Sequence, residues 1–189
     1  MHDPEFVHEV IGALERLDIS YFLVGSVSSS TWGEIRSTND ADIVVDATEE
    51  QIRKLVAHFE GEHYANMESA LDALRRRSMF NIISNRSAMK VDLMISKQSP
   101  YALEQFRRRT QANICGMLVY LQSPEDTILS KLLWGRQSES EKQLRDVVGV
   151  LTVMRESLDN NYLDEWAATL GLTPELAKAR TQSNEVETK

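Results

Sequence analysis

Short apolar runs at residues 21–24, 43–45, 80–83, 90–95 and 112–121 punctuate the first two thirds of the chain, and from Ser123 the texture becomes helical. Runs this short are strands rather than helices. Strands alternating with helical stretches build a sheet with helices packed against it. The expected fold is therefore α/β (α+β): a mixed sheet flanked by helices over 1–122, then a helical region over 123–182 that packs on that core. The last residues, 183–189, are polar and are expected to be disordered.

The helical stretches carry their own signals. Phe6, Val10, Leu14 and Leu17 recur at helical spacing over 5–18, behind an Asp3-Pro4 start. Thr48-Glu49-Glu50-Gln51 is a capping box for a helix running to about Phe59. Helices are also expected at 27–33, 67–77 and 100–109. Phe80-Asn81-Ile82-Ile83 and Lys90 to Ile95 flank the turn Asn85-Arg86-Ser87 and read as a hairpin. Ser123-Pro124-Glu125-Asp126 opens the helical third with a serine cap and a first-turn proline. Helices follow at about 124–135, 139–157, 160–170 and 174–181.

Composition narrows the function classes. No apolar run reaches the roughly 20 residues of a membrane span, and Met1-His2-Asp3-Pro4-Glu5 lacks a basic secretory start. One cysteine, Cys115, and four scattered histidines offer neither a disulfide nor a zinc site, which fits a reducing cytoplasm. His8, His58 and His63 read as surface residues, and Trp134 and Trp166 as core. A net charge of −8 argues against non-specific attraction to phosphate backbones. Arg75-Arg76-Arg77 and Arg107-Arg108-Arg109 are local exceptions, read as solvated helix ends or as a substrate contact.

The chemistry gathers around three aspartates. Asp40 and Asp42 begin a strand, so alternation places both carboxylates on one face, roughly 6 to 7 Å apart. Asp92 lies within an otherwise apolar strand, where an unpaired carboxylate is costly to bury. Carboxylates from neighbouring strands can share hard divalent cations and so neutralise charge on a reacting phosphate. Upstream, the run 21–24 ends at Gly25-Ser26, a strand-to-helix turn that lets backbone N–H groups approach an anion. It is not a Walker A loop, because no Gly-Lys-Ser/Thr follows.

Val24-Gly25-Ser26, thirteen intervening residues, and Asp40-Ala41-Asp42-Ile43 together resemble the signature of the polymerase-β-like nucleotidyltransferase superfamily. Arg36-Ser37-Thr38-Asn39-Asp40-Ala41-Asp42 is similar to the Arg-x-Thr-x-Asp-x-Asp form of minimal, toxin- or defence-type bacterial members. Lys131-Leu132 and Arg145-Asp146 resemble their helical tail. The resemblance implies transfer of a nucleoside monophosphate from a nucleoside triphosphate to an acceptor hydroxyl or phosphate, with release of pyrophosphate. Asp40, Asp42 and Asp92 would be the catalytic, metal-holding residues, with Mg2+ (or Mn2+) as cofactor and Asp92 activating the acceptor. Gly25, Ser26, Arg36, Thr38, Lys131 and Asp146 would bind the nucleotide, ATP among the candidates. Read alone, Lys131 is equally a surface lysine, and Asp146 equally a structural ion-pair partner.

The acceptor is left open among transfer RNA, protein and small molecule. A toxin–antitoxin or defence role brings a cognate antitoxin as partner. An aminoglycoside- or lincosamide-modifying enzyme and a non-catalytic binding module with the same fold are the alternatives.

Overall fold

A computed structural model of the chain describes residues 3–35, 38, 40–138 and 140–187. In chain order the elements are α1 (Pro4–Arg16), β1 (Ser20–Val24), α2 (Gly25–Trp32), β2 (Asp40–Asp46), α3 (Glu49–Phe59), β3 (Tyr64–Ala65), α4 (Met67–Arg76), β4 (Met79–Ile83), β5 (Lys90–Ile95), α5 (Pro100–Arg108), β6 (Thr110–Ile114) and β7 (Met117–Leu121). They continue with α6 (Pro124–Ser138), α7 (Glu141–Met154), a 3-10 turn (Arg155–Ser157), α8 (Asn160–Thr169) and α9 (Thr173–Glu187). The chain divides into two compact units, the first formed by residues 1–24 and 37–121, the second by 25–36 and 122–189.

The first unit is built on a mixed sheet of seven strands among the described residues, ordered β3-β4-β5-β2-β1-β7-β6. β2 runs antiparallel to β1 and parallel to β5, and β4–β5 is the antiparallel hairpin expected from the sequence. Alternation sorts the sheet into two faces. Ala41, Ile43, Val45, Phe80, Ile82, Val91, Leu93 and Ile95 share one face and are buried. The layer of α1, α3 and α4 covers it. Each large aliphatic side chain removed from water there contributes about 2 kcal/mol.

Local chemistry fixes these helices. Asp3 accepts a hydrogen bond from Phe6 N at the start of α1, and Thr48 and Gln51 complete the capping box of α3. β6 and β7 join through Cys115-Gly116, with positive φ of 51° and 89° at the two positions. Such a two-residue loop matches the twist of its strands, and glycine adopts it without strain. β3, two residues at the sheet edge, carries too short a pattern to be seen in sequence.

The second unit is helical. α2 is tied to the start of α6 by buried hydroxyls: Ser28 Oγ lies 2.7 Å from Thr127 Oγ1, which donates to Ser123 O at 2.8 Å. Trp32 Nε1 donates to Gln122 O at 2.8 Å. Ser123 caps α6 by accepting from Asp126 N, and Tyr162 of α8 donates to the buried Asp126 carboxylate at 2.7 Å. α9 continues to Glu187, through the stretch whose polarity suggested disorder. Ser183 explains this, being buried within hydrogen-bond distance (2.8 Å) of Thr152 Oγ1 on α7.

Candidate active site

The sheet face opposite the helix layer carries the three candidate aspartates of the first unit. Asp42 on β2 is the register partner of Asp92 on β5, and Asp40 that of Lys90. Neighbouring strands lie about 4.8 Å apart, so partnered side chains stand side by side. Asn81 of β4 extends the row beyond Asp92, and Val24 ends β1 on the other side of Asp42. Thr38, buried, donates its hydroxyl to Asp40 Oδ1 at 2.8 Å and to Asp40 O at 3.0 Å, which fixes that carboxylate at the strand's entrance.

The electrostatics of this row are distinctive. Asp92 is only 5% exposed. Its Oδ2 is 2.7 Å from Lys90 Nζ, whereas its Oδ1 is buried with no hydrogen-bond partner among the described residues. Lys90 is held above the usual lysine range, first by its hydrogen bond to Asp92. Partial desolvation opposes that shift, and the charges of Asp92, Asp40 and Asp42 add to it. Lys90 thus brings an ammonium into a row that carries three carboxylates. An orphaned carboxylate oxygen beside two further aspartates is a donor set of the hard, all-oxygen kind that a divalent cation such as magnesium takes. The residues present therefore fit such an ion.

The second unit holds the remaining described candidates. Gly25, φ +63°, begins α2 directly after β1, so the glycine supplies the left-handed turn that starts the helix. Ser26 is the next residue of that first turn. Lys131 of α6 is not a surface lysine: it is 5% exposed and donates to Asp146 Oδ2 of α7 at 2.7 Å. Ser29 of α2 donates to the same oxygen at 3.3 Å. A buried ion pair of this kind is strongly interdependent, because removing one partner strands the other charge at a cost of about 3–5 kcal/mol. Ser29, Asp146, Glu34, Ile35, Lys142 and Arg145 line a cleft of about 240 Å³. Arg36 lies outside the described residues.

Several expectations need correction. His63 is buried rather than on the surface, while His58 is exposed. Trp134 is 41% exposed and so is no core residue, because its stripe on α6 faces outward. Trp166 is half-buried against Tyr162. Arg75 and Arg76 pair with Asp72 of their own helix, and Arg107 with Glu104, as solvated helix faces do. Arg109 stacks over Tyr120, 4.5 Å from the ring centre. Lys90 and Ser29 were not singled out from sequence. For Lys90 the signal was available, since its two-residue spacing from Asp92 on a strand puts both on one face.

The fold agrees with that of known proteins. No curated protein matches the chain. Among solved structures, the solution structure of the antibiotic-resistance factor ANT(2'')-Ia superposes with a TM-score of 0.59 at 11% identity, covering 100% of both chains. The crystal structure of ANT(2")-Ia in complex with adenylyl-2"-tobramycin gives 0.56 at 14% identity, covering 87% of this chain and 94% of that one. The lincomycin-bound lincosamide antibiotic adenylyltransferase LnuA gives 0.52 at 13% identity, covering 78% and 95%. At such identities the likeness is one of fold. The sequence itself decides the family: residues 4–184 match the model described as "Nucleotidyltransferase of unknown function (DUF6036)", and the chain belongs to that nucleotidyltransferase family.

Proposed function

We propose that the protein is a magnesium-dependent enzyme that moves a nucleoside monophosphate from a nucleoside triphosphate to an acceptor hydroxyl. The observation that carries this reading is the register of Asp42 with Asp92, Asp40 alongside, and a buried unpartnered oxygen on Asp92. Asp40, Asp42 and Asp92 hold the metal, manganese being the alternative to magnesium. Bound there, the ion would neutralise charge on the phosphoryl group in transfer.

The remaining steps belong to the chain's own groups. Asp92 takes the proton of the acceptor hydroxyl as its oxygen forms a bond to the α-phosphorus. The bond from that phosphorus to the bridging oxygen breaks, and pyrophosphate leaves. Thr38 orients Asp40 through its 2.8 Å hydrogen bond. Gly25 and Ser26 supply N–H groups and a hydroxyl for the donor's phosphates, as the first turn of a helix is suited to do. Lys131, held by Asp146, meets the charge of the departing pyrophosphate, and Arg36 acts likewise.

Two acceptor classes remain in view. The fold shared with ANT(2")-Ia and LnuA, together with the chain's net charge of −8, supports a cationic small molecule of the aminoglycoside or lincosamide kind. The Arg-x-Thr-x-Asp-x-Asp stretch supports a toxin-type cytoplasmic enzyme acting on a transfer-RNA end or a protein, with a cognate antitoxin. Incubation with each labelled nucleoside triphosphate, magnesium and these acceptor pools tests both. Transfer is expected with the wild type and a loss of roughly a hundredfold or more in Asp40→Ala and Asp42→Ala, since each removes several kcal/mol of charge stabilisation. Absence of transfer with every donor and acceptor overturns the activity. Undiminished transfer by both variants overturns the site.

A further inference from the structure

We propose that Glu9, Glu62 and His63 form a second divalent-cation site, of the zinc class, that pins the N-terminal helix to the corner between α3 and β3. This inference is independent of the catalytic reading. The three side chains each bring one ligand atom within 4.8 Å of the others. The second observation is His63 itself. Its side chain is 1% exposed, and neither ring nitrogen has a hydrogen-bond partner among the described residues. Buried imidazoles normally place at least one N–H on an acceptor, so a ring with both nitrogens orphaned is incomplete.

What surrounds the ring tells which ligand would complete it. Phe6 and Phe59 pack against it with tilted rings, their centres 4.8 and 5.8 Å away. Nε2 lies 3.4 Å from Glu9 Oε1 without the alignment of a hydrogen bond. Two donors side by side at that separation match adjacent ligands of a tetrahedral ion, whose bonds of about 2.0–2.2 Å put neighbouring ligands about 3.4 Å apart. Glu62, with a side chain 73% exposed beside Arg86, has the freedom to close the third position, and water takes the fourth.

The donor set also selects the metal. An imidazole nitrogen with two carboxylates suits zinc and its neighbours in the first transition row, whereas magnesium and calcium take oxygen alone. The site sits apart from the aspartate row. Glu9 is on α1, and Glu62-His63 lie in the turn between α3 and β3, in the helix layer that covers the sheet face opposite Asp42 and Asp92. Its effect is structural: ligands from α1 and from the α3–β3 turn are joined through one ion, which binds only the folded chain.

The test uses the whole chain in a Cys115→Ser background, stripped with chelator, then equilibrated with zinc chloride under excess magnesium chloride and desalted. Metal analysis should find one zinc per chain in this background and in Asp92→Asn. Glu9→Gln and His63→Asn should bind zinc roughly tenfold or more weakly. Glu62→Gln, at an exposed position that leaves folding intact, should lose the zinc-induced rise in Tm. Visible absorption of bound cobalt should vanish with the same substitutions. Zinc retained undiminished in Glu9→Gln and Glu62→Gln overturns the site, as does zinc lost in Asp92→Asn alone, or none bound by the unsubstituted Cys115→Ser chain.

Discussion

At the scale of single residues, the candidate site turns on a competition between Lys90 and a metal ion for the Asp92 carboxylate. The ammonium is 2.7 Å from Oδ2 and partly solvated, so it can withdraw when a stronger cation arrives. Lys90→Met should therefore lower the magnesium concentration giving half-maximal activity by roughly severalfold, since two charges at contact in a partly solvated site interact by a few kcal/mol at most. A magnesium titration of transfer rate checks this, and a higher requirement in the variant would assign Lys90 to substrate binding instead. The same pair sets a pH dependence. Because the folded-state pKa of Lys90 is raised, its stabilising effect is complete below the ordinary lysine value of about 10.4 and is lost as pH climbs through the higher folded value. Without metal, the Tm of the wild type should fall on that alkaline side more steeply than that of Lys90→Met. The three aspartates were legible from sequence because carboxylates in apolar strands are conspicuous. Lys90 was legible by the same alternation, two residues before Asp92 on one strand, and what the structure adds is its register against Asp40. The burial of His63 was not legible, because it depends on Phe6 of α1, far away in sequence, packing against it.

At the scale of elements, most boundaries followed from periodicity and caps, and what escaped was contact between elements. Gly33 reads in sequence as a helix terminator. In the structure it marks a close crossing of the end of α2 over α7: a Cβ there would lie 2.9 Å from Val150 N and 3.0 Å from both Gly149 C and Ser29 O. All three are backbone atoms, so no side chain can yield. Gly33→Ala should destabilise the helical unit by about 1–3 kcal/mol, the usual result of overpacking. Urea unfolding followed by circular dichroism would measure it, and a cost near zero would show that α2 shifts freely on α7. The activity should fall with it, since Ser29, which holds Asp146, sits one turn earlier on α2. Periodicity could not reveal this crossing, because a small residue carries no apolar signal and its partner surface is over a hundred residues away. β3 and the end of α9 escaped for the opposite reason: one is too short for any pattern, and the other is helical through the Ser183–Thr152 contact rather than through composition.

At the scale of the whole molecule, charge is the property that discriminates the acceptors. The chain carries −8, with 29 acidic against 21 basic side chains. A field of that sign draws a polycationic acceptor and repels a polyanionic one, and it reaches only about 10 Å at 0.1 M salt. The two acceptor classes therefore respond to ionic strength with opposite sign. With donor and magnesium saturating, kcat/KM for a cationic aminoglycoside should fall severalfold as potassium chloride is raised from about 50 to about 300 mM, while kcat changes little, because screening weakens encounter rather than chemistry. For a transfer-RNA acceptor the same addition relieves long-range repulsion, and kcat/KM should rise until screening of local arginine–phosphate contacts overtakes it. A neutral lincosamide analogue supplies the control with no slope. A steep fall confined to the cationic acceptor would support the antibiotic-modifying reading. A steep fall with transfer RNA instead would mean that a local basic surface dominates the net charge, and the toxin-type reading would then be the one to pursue.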